Sequence, residues 1–146
     1  MTSTELDNLV RIGQLKREPP TDDEIAGLLR SAAERLTDAG RVELSYSSRF
    51  DLAYNAAHAL ALVALRRTGY RSENRYLVFQ TLPHTTGMEP AKWRVLATAH
   101  AQRNLVEYEG LQEHDDRLLA ELIAIAGELH KLVATPRAGP ASGAKP

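Results

Sequence analysis

The chain has no cysteine, which excludes disulfides, thiolate nucleophiles, iron–sulfur clusters and cysteine-ligated zinc. It has no long apolar run. The longest, Ala59 to Leu65, is about a third of the roughly 20 residues that a membrane-spanning helix requires. The N-terminus lacks the basic-then-apolar pattern of a signal peptide, so a cytoplasmic location is expected, without membrane association. An excess of charge of either sign is missing too, the formal net charge being −1. That excludes a strongly basic nucleic-acid-binding coat while leaving room for a local patch. Aromatic residues make up only 5%, with a single tryptophan, and alanine and leucine dominate instead. What is present fits one globular domain: 146 residues, 43% hydrophobic and 25% charged, enough to bury roughly 68–70% of the unfolded chain's surface without a metal or a disulfide.

Apolar residues recur with a period of 3.6 and two-residue alternation is scarce, which predicts an all-α fold. Leu6, Leu9, Val10 and Ile12 give a short amphipathic helix within residues 4–16, and Pro19-Pro20 forbids its continuation. Thr21-Asp22-Asp23-Glu24 matches a capping box and opens a helix with Ile25, Leu28, Leu29, Ala32 and Leu36 on one face, stopped by Gly40. Hydroxyls from Ser45 to Ser48 can cap a central helix that runs to about Thr68. Its Ala-rich face lets neighbouring helices approach closely. Ser72 is the expected cap of a shorter helix carrying Tyr76, Leu77, Phe79 and Leu82, ended by an exposed loop from Pro83 to Gly87. Pro90 opens a long helix anchored by Trp93, Leu96 and Leu105 and ended by Gly110, and Asp115 caps the last helix, whose wide apolar face predicts contact on two sides. The expected division is a short helix and linker over 1–20, a helical bundle over 21–134 and a disordered tail over 135–146, without internal repeats.

Polar and titratable groups concentrate between His100 and Gly110. His100, Arg103, Asn104 and Glu107 lie three or four residues apart and share a helix face, whereas Tyr108 points elsewhere. One reading is an intrahelical Arg103–Glu107 pair worth roughly 0.2–0.5 kcal/mol beside a solvated Asn104. The other is a set of guanidinium and amide donors that binds a phosphate or nucleotide. His58, near Tyr54 and Asn55, reads as a hydrogen-bonded seam residue or as part of a site, and His84 lies in a loop. His114, Asp115 and Asp116 read as a helix cap. There is no HExxH and no His–carboxylate cluster on one helix face, so neither a metal nor a cofactor is expected. Arg66, Arg67, Arg71 and Arg75, opposed only by Glu73, form a local positive excess. It reads as a phosphate-binding edge or, for Arg66 and Arg67, as a complement to a helix C-terminus. The acidic stretch of Glu107, Glu109, Glu113, Asp115 and Asp116 would repel an RNA backbone unless it faces another way.

Two segments resemble the HEPN superfamily. Arg49-Phe50-Asp51-Leu52-Ala53-Tyr54-Asn55-Ala56-Ala57-His58 is similar to the central HEPN helix, and Arg103-Asn104-Leu105-Val106-Glu107-Tyr108 is similar to its signature of an Arg followed four to six residues later by a His. With the helix order, the resemblance spans about residues 21–133. It implies an antiparallel up-and-down bundle of four long helices and a homodimer that sets the two signature helices side by side. It also implies a place in a toxin–antitoxin or phage-defence system, with a nucleotidyltransferase partner. Active members of the family are metal-independent endoribonucleases. Here Tyr108 stands where the signature has His, and a phenol of pKa about 10 is a poor base near neutral pH where an imidazole of about 6.5 is a good one. The expected role is therefore a nucleotide-, RNA- or partner-binding module using Asn104, Glu107, Tyr108, Tyr54, Asn55 and His58. The alternative is a ribonuclease in which Arg103 stabilises the phosphate and His100, or else His58 or His84, moves the proton. Arg94 and His100 also satisfy the signature's spacing, which is easy to obtain by chance in a helical chain rich in arginine.

Overall fold

The computed structural model describes residues 4–111 and 113–134; the expected tail over 135–146 lies outside them. The described residues are mostly helical. Their order is α1 (Thr4–Arg11), β1 (Lys16–Arg17), α2 (Asp22–Ala39), α3 (Tyr46–Arg67), β2 (Tyr70–Arg71), α4 (Arg75–Gln80), α5 (Leu82–Thr85), α6 (Pro90–Glu109) and α7 (Asp116–Ala134). Among the described residues, no helix is long and apolar enough to cross a membrane.

Most helix starts follow from local chemistry. The Thr21 hydroxyl accepts from the Glu24 amide at 3.2 Å while the Glu24 carboxylate accepts from the Thr21 amide at 2.8 Å, closing the capping box of α2. Ser45 caps α3 by accepting from the Ser48 amide, and Asp115 accepts from the Leu118 amide at the start of α7. The cap of α4 is Asn74, which accepts from the Leu77 amide at 3.0 Å. Ser72, the expected cap, instead accepts from the Asn74 amide and shapes the preceding turn. Gly110 ends α6 in the left-handed region at φ 69°. Its N–H bonds to Val106 O and the Leu111 N–H to Leu105 O, the pairing that satisfies a helix's last carbonyls.

Side-chain bridges give the helix directions. Arg66 at the end of α3 meets Glu24 at the start of α2, and Arg49 donates to Ala39 O, so α2 and α3 are antiparallel. Arg67 donates to Val133 O and Tyr46 stacks on His114, so α3 and α7 run the same way. Lys92–Glu128 and Gln102–Glu113 set α6 antiparallel to α7. The four long helices thus alternate in direction along the chain, with α3 and α7 packed together at the centre and α2 and α6 on opposite sides. The buried face of α3 includes Ala53, Ala56, Ala57, Ala59, Ala61 and Ala64, and these small side chains let it serve as the spine.

Two features depart from the sequence-based expectation. The N-terminal segment is integrated into the fold: Leu6 and Leu15 are buried, and Lys16 and Arg17 pair antiparallel with Arg71 and Tyr70. Two residues per strand are too few for alternation to reveal. The Pro83–Gly87 segment is not simply an exposed loop, since α5 forms there between buried Leu82 and Met88, with Pro83 in the first turn, where its missing N–H costs nothing.

Candidate functional site

Where α3, α4 and α6 meet, the fold gathers most of the polar residues singled out above. Tyr54, Asn55 and His58 come from one side of α3, Arg75 and Tyr76 from the first turn of α4, and His100, Arg103 and Asn104 from the later half of α6. At the centre lies the fully buried Tyr54 ring. The guanidinium carbons of Arg75 and Arg103 sit 5.6 and 5.2 Å from its centroid, within cation–π range. Arg75 also donates to Asn55 Oδ1 at 2.9 Å, and Asn55 is itself fixed by donating to Asp51 O at 2.8 Å. Arg103 has Glu107 one turn on at 3.7 Å, and its Nε is buried without a hydrogen-bond partner among the described residues.

His100 is held at both ring nitrogens. As Asn104 is oriented, its amide donates to Nε2 at 3.2 Å, which leaves the ring proton on Nδ1 to be donated to the Tyr54 hydroxyl oxygen at 2.9 Å. Burial, then the charges of Arg103 and Arg75, hold its pKa below the usual histidine value. His58 lies edge-on to Phe79, with ring centroids 5.9 Å apart. Burial first, then Arg75, Arg103 and His100, push it down to about 4. Burial raises the Tyr54 phenol, against the opposing pull of the two arginines. Near pH 7 the cluster therefore presents two cations among neutral rings and amides. An oxyanion would be favoured there; a metal ion would be repelled, and no group of three His, Asp or Glu able to hold one occurs among the described residues.

Other candidates stand apart. Arg66, Arg67, Arg71 and Arg75 do not form one phosphate-binding edge. Arg66 is wholly buried, gives two hydrogen bonds to Glu24 and one to the Glu18 carboxylate, and reaches the carbonyls of Glu18, Pro19 and Tyr70. Arg71 pairs with the same two carboxylates, and Arg67 reaches Val133 O, the end of α7 rather than of its own helix. Only Arg75 joins the cluster. Tyr108 is 80% exposed, and Glu107 meets the cluster through Arg103. Arg94 lines a groove against α7 with Asp115 and Arg117, away from His100. His84 lies 3.9 Å from Glu5, and His114 bonds Asp116.

The sequence groups Arg75 with arginines that the fold places elsewhere, and assigns no site role to Tyr76, a residue of a short helix, or to Trp93, a helix anchor. An Arg-Tyr pair in the first turn of a short helix was the available signal, but its target depends on how α4 lies across α3. Comparison with family models, with curated proteins and with solved structures returned no match for this chain.

Proposed function

We propose that the chain is a HEPN-like bundle acting as a homodimeric binding module, whose ligand is a phosphate-bearing nucleotide or RNA held at the Tyr54–Arg75–Arg103 cluster. One observation carries this reading. Two guanidinium groups flank one buried tyrosine ring without matched carboxylates: among the described residues Arg75 makes no salt bridge, and Arg103 has only Glu107 at 3.7 Å. The contrast with Arg66 and Arg71, both neutralised by Glu18 and Glu24, supports it, because Arg75 and Arg103 lack such matched carboxylates among the described residues. Arginine's planar fork suits a phosphate's oxygens, and hydrogen bonds to charged groups are each worth about 1.5–3 kcal/mol. The alternating order of the four long helices and the meeting of Tyr54 with Arg103 support the HEPN-like part. The dimer, the nucleotidyltransferase partner and the toxin–antitoxin or phage-defence setting rest on the resemblance. Tyr108 and Leu111, exposed at the end of α6, are apolar side chains available to a second copy.

Binding is preferred over cleavage because both His100 nitrogens are already engaged and the signature position carries Tyr108, a poor base near neutral pH. The ribonuclease reading keeps one observation in its favour, the neutral His58 imidazole beside the two arginines. Filter binding of a labelled single-stranded oligoribonucleotide tests the proposal. Arg75→Ala and Arg103→Ala are each expected to weaken binding about tenfold or more. Retention of full affinity in both variants would contradict it, and Arg103-dependent cleavage of RNA in EDTA would replace binding by catalysis.

A further inference from the structure

Beside the two arginines runs a row of rings that the phosphate site alone does not use. The Trp93 and Tyr76 centroids lie 5.9 Å apart and edge-on, Tyr76 and His100 lie 5.6 Å apart, and His100 and Tyr54 lie 6.3 Å apart and stacked. From Tyr76 the row passes inward: Tyr76 is 40% exposed, Trp93 and His100 are half-buried, and Tyr54 is fully buried with both guanidiniums over its ring. Tyr76 follows Arg75 directly, so one turn of α4 supplies both a planar surface and a cation. A ligand matched to both features carries a flat heteroaromatic ring a short distance from an anionic oxygen group.

We infer that Tyr76, backed by Trp93, is the seat for an unpaired nucleobase, so that the ligand is a nucleotide unit, free or within a single strand, whose phosphate lies at Arg75 and Arg103. This rests on the phosphate-binding reading above and adds the base. Stacking on an exposed aromatic ring tolerates any base, since each has a π-face, so little sequence preference is expected. A duplex keeps its bases stacked on one another and cannot offer one to Tyr76 without being opened.

The chain's single tryptophan gives the readout, because Trp93 packs against Tyr76 and its fluorescence reports a base placed there. Wild-type protein is titrated with inorganic phosphate, ribose 5-phosphate, adenosine 5′-monophosphate, a short oligoadenylate and the same strand paired in a duplex. The expected result is that the monophosphate quenches Trp93 and binds about fivefold or more tighter than ribose 5-phosphate. That preference should be lost in Tyr76→Leu and kept in Tyr76→Phe, each checked for helicity by circular dichroism. The wild-type comparison stands without any variant. A large gain for the oligoadenylate over the monophosphate identifies a single strand as the source, and equal affinities identify the free nucleotide; the base seat stands in either case. Equal affinity for ribose 5-phosphate and the monophosphate, an undiminished preference in Tyr76→Leu, or duplex binding equal to single-strand binding would overturn the base seat while leaving the phosphate site. Failure of every phosphate compound to bind would overturn both.

Discussion

Arg66 and Arg103 meet different fates in this molecule, and the difference is set by their carboxylate partners. Arg66 is fully buried and saturated by Glu18, Glu24 and three carbonyls, so Arg66→Met leaves the carbonyls of Glu18, Pro19 and Tyr70 without that donor and Glu18 and Glu24 with Arg71 as their remaining cation. The expected loss is about 3–5 kcal/mol, read from urea unfolding. Arg103→Ala is expected to cost about 1 kcal/mol or less, because its one salt bridge is long and its Glu107 partner exposed. Two groups contribute to the acid response in separate windows. Glu24, held at about 2 first by its bond from Arg66 and then by the Thr21 amide, contributes stability that is present above its ordinary 4.5 and is lost as pH falls towards 2. His58, held at about 4, stays neutral in the folded state while the unfolded chain takes up a proton below 6.5. Stability therefore falls as pH drops from 6.5 to about 4 and levels off below, a loss of about 3 kcal/mol at most. Arg75, Arg103 and His100 face that imidazole. Denaturant midpoints measured across pH should show a shallower upper slope in His58→Gln and a shallower lower one in Glu24→Gln. The His100–Arg103–Asn104 face was legible because helical spacing alone brings those residues together. The partners of Arg66 were not, since they lie 42 and 48 residues away and are chosen by the packing of α2 on α3.

At the level of elements, caps carry most of what a sequence can announce. Thr21→Ala removes the hydroxyl that meets the Glu24 amide and is expected to cost about 1 kcal/mol, and Asn74→Ala a similar amount, whereas Ser72→Ala should cost clearly less because Ser72 caps no helix. Thermal unfolding of the three single variants checks that ranking. Gly110→Ala places a Cβ at φ 69°, where an L-residue is disfavoured by about 1–2 kcal/mol, and should shorten α6 from its C-terminal end. Capping boxes and terminal glycines were readable because they act over three or four residues. The β1–β2 pair and α5 were not. Each spans little more than one period of its pattern, and each exists because buried residues such as Leu15, Tyr70, Leu82 and Met88 pin it to the core.

For the whole molecule, the placement of α6 and α4 against α3 decides what the surface can do. It brings two unmatched cations, a buried phenol and two neutral imidazoles to one half-exposed cluster, while Arg66 and Arg71 are confined with Glu18 and Glu24 at the other end of α3. The acidic stretch borders the cluster, since Glu107 lies 3.7 Å from Arg103 and Glu113 accepts from Gln102, the residue before Arg103. If two copies assemble through α6, light scattering at micromolar concentration should give twice the chain mass, and a charge placed at Tyr108 or Leu111 should lower it. The most direct test of phosphate binding follows the five histidine ring signals by NMR as adenosine 5′-monophosphate is added. A bound anion offsets the two arginines, so His58 and His100 should shift and titrate at higher pH, with His84 and His114 unmoved and no effect in an Arg75→Ala/Arg103→Ala variant. Unchanged His58 and His100 signals, or the same shifts in that double variant, would contradict phosphate binding at these arginines.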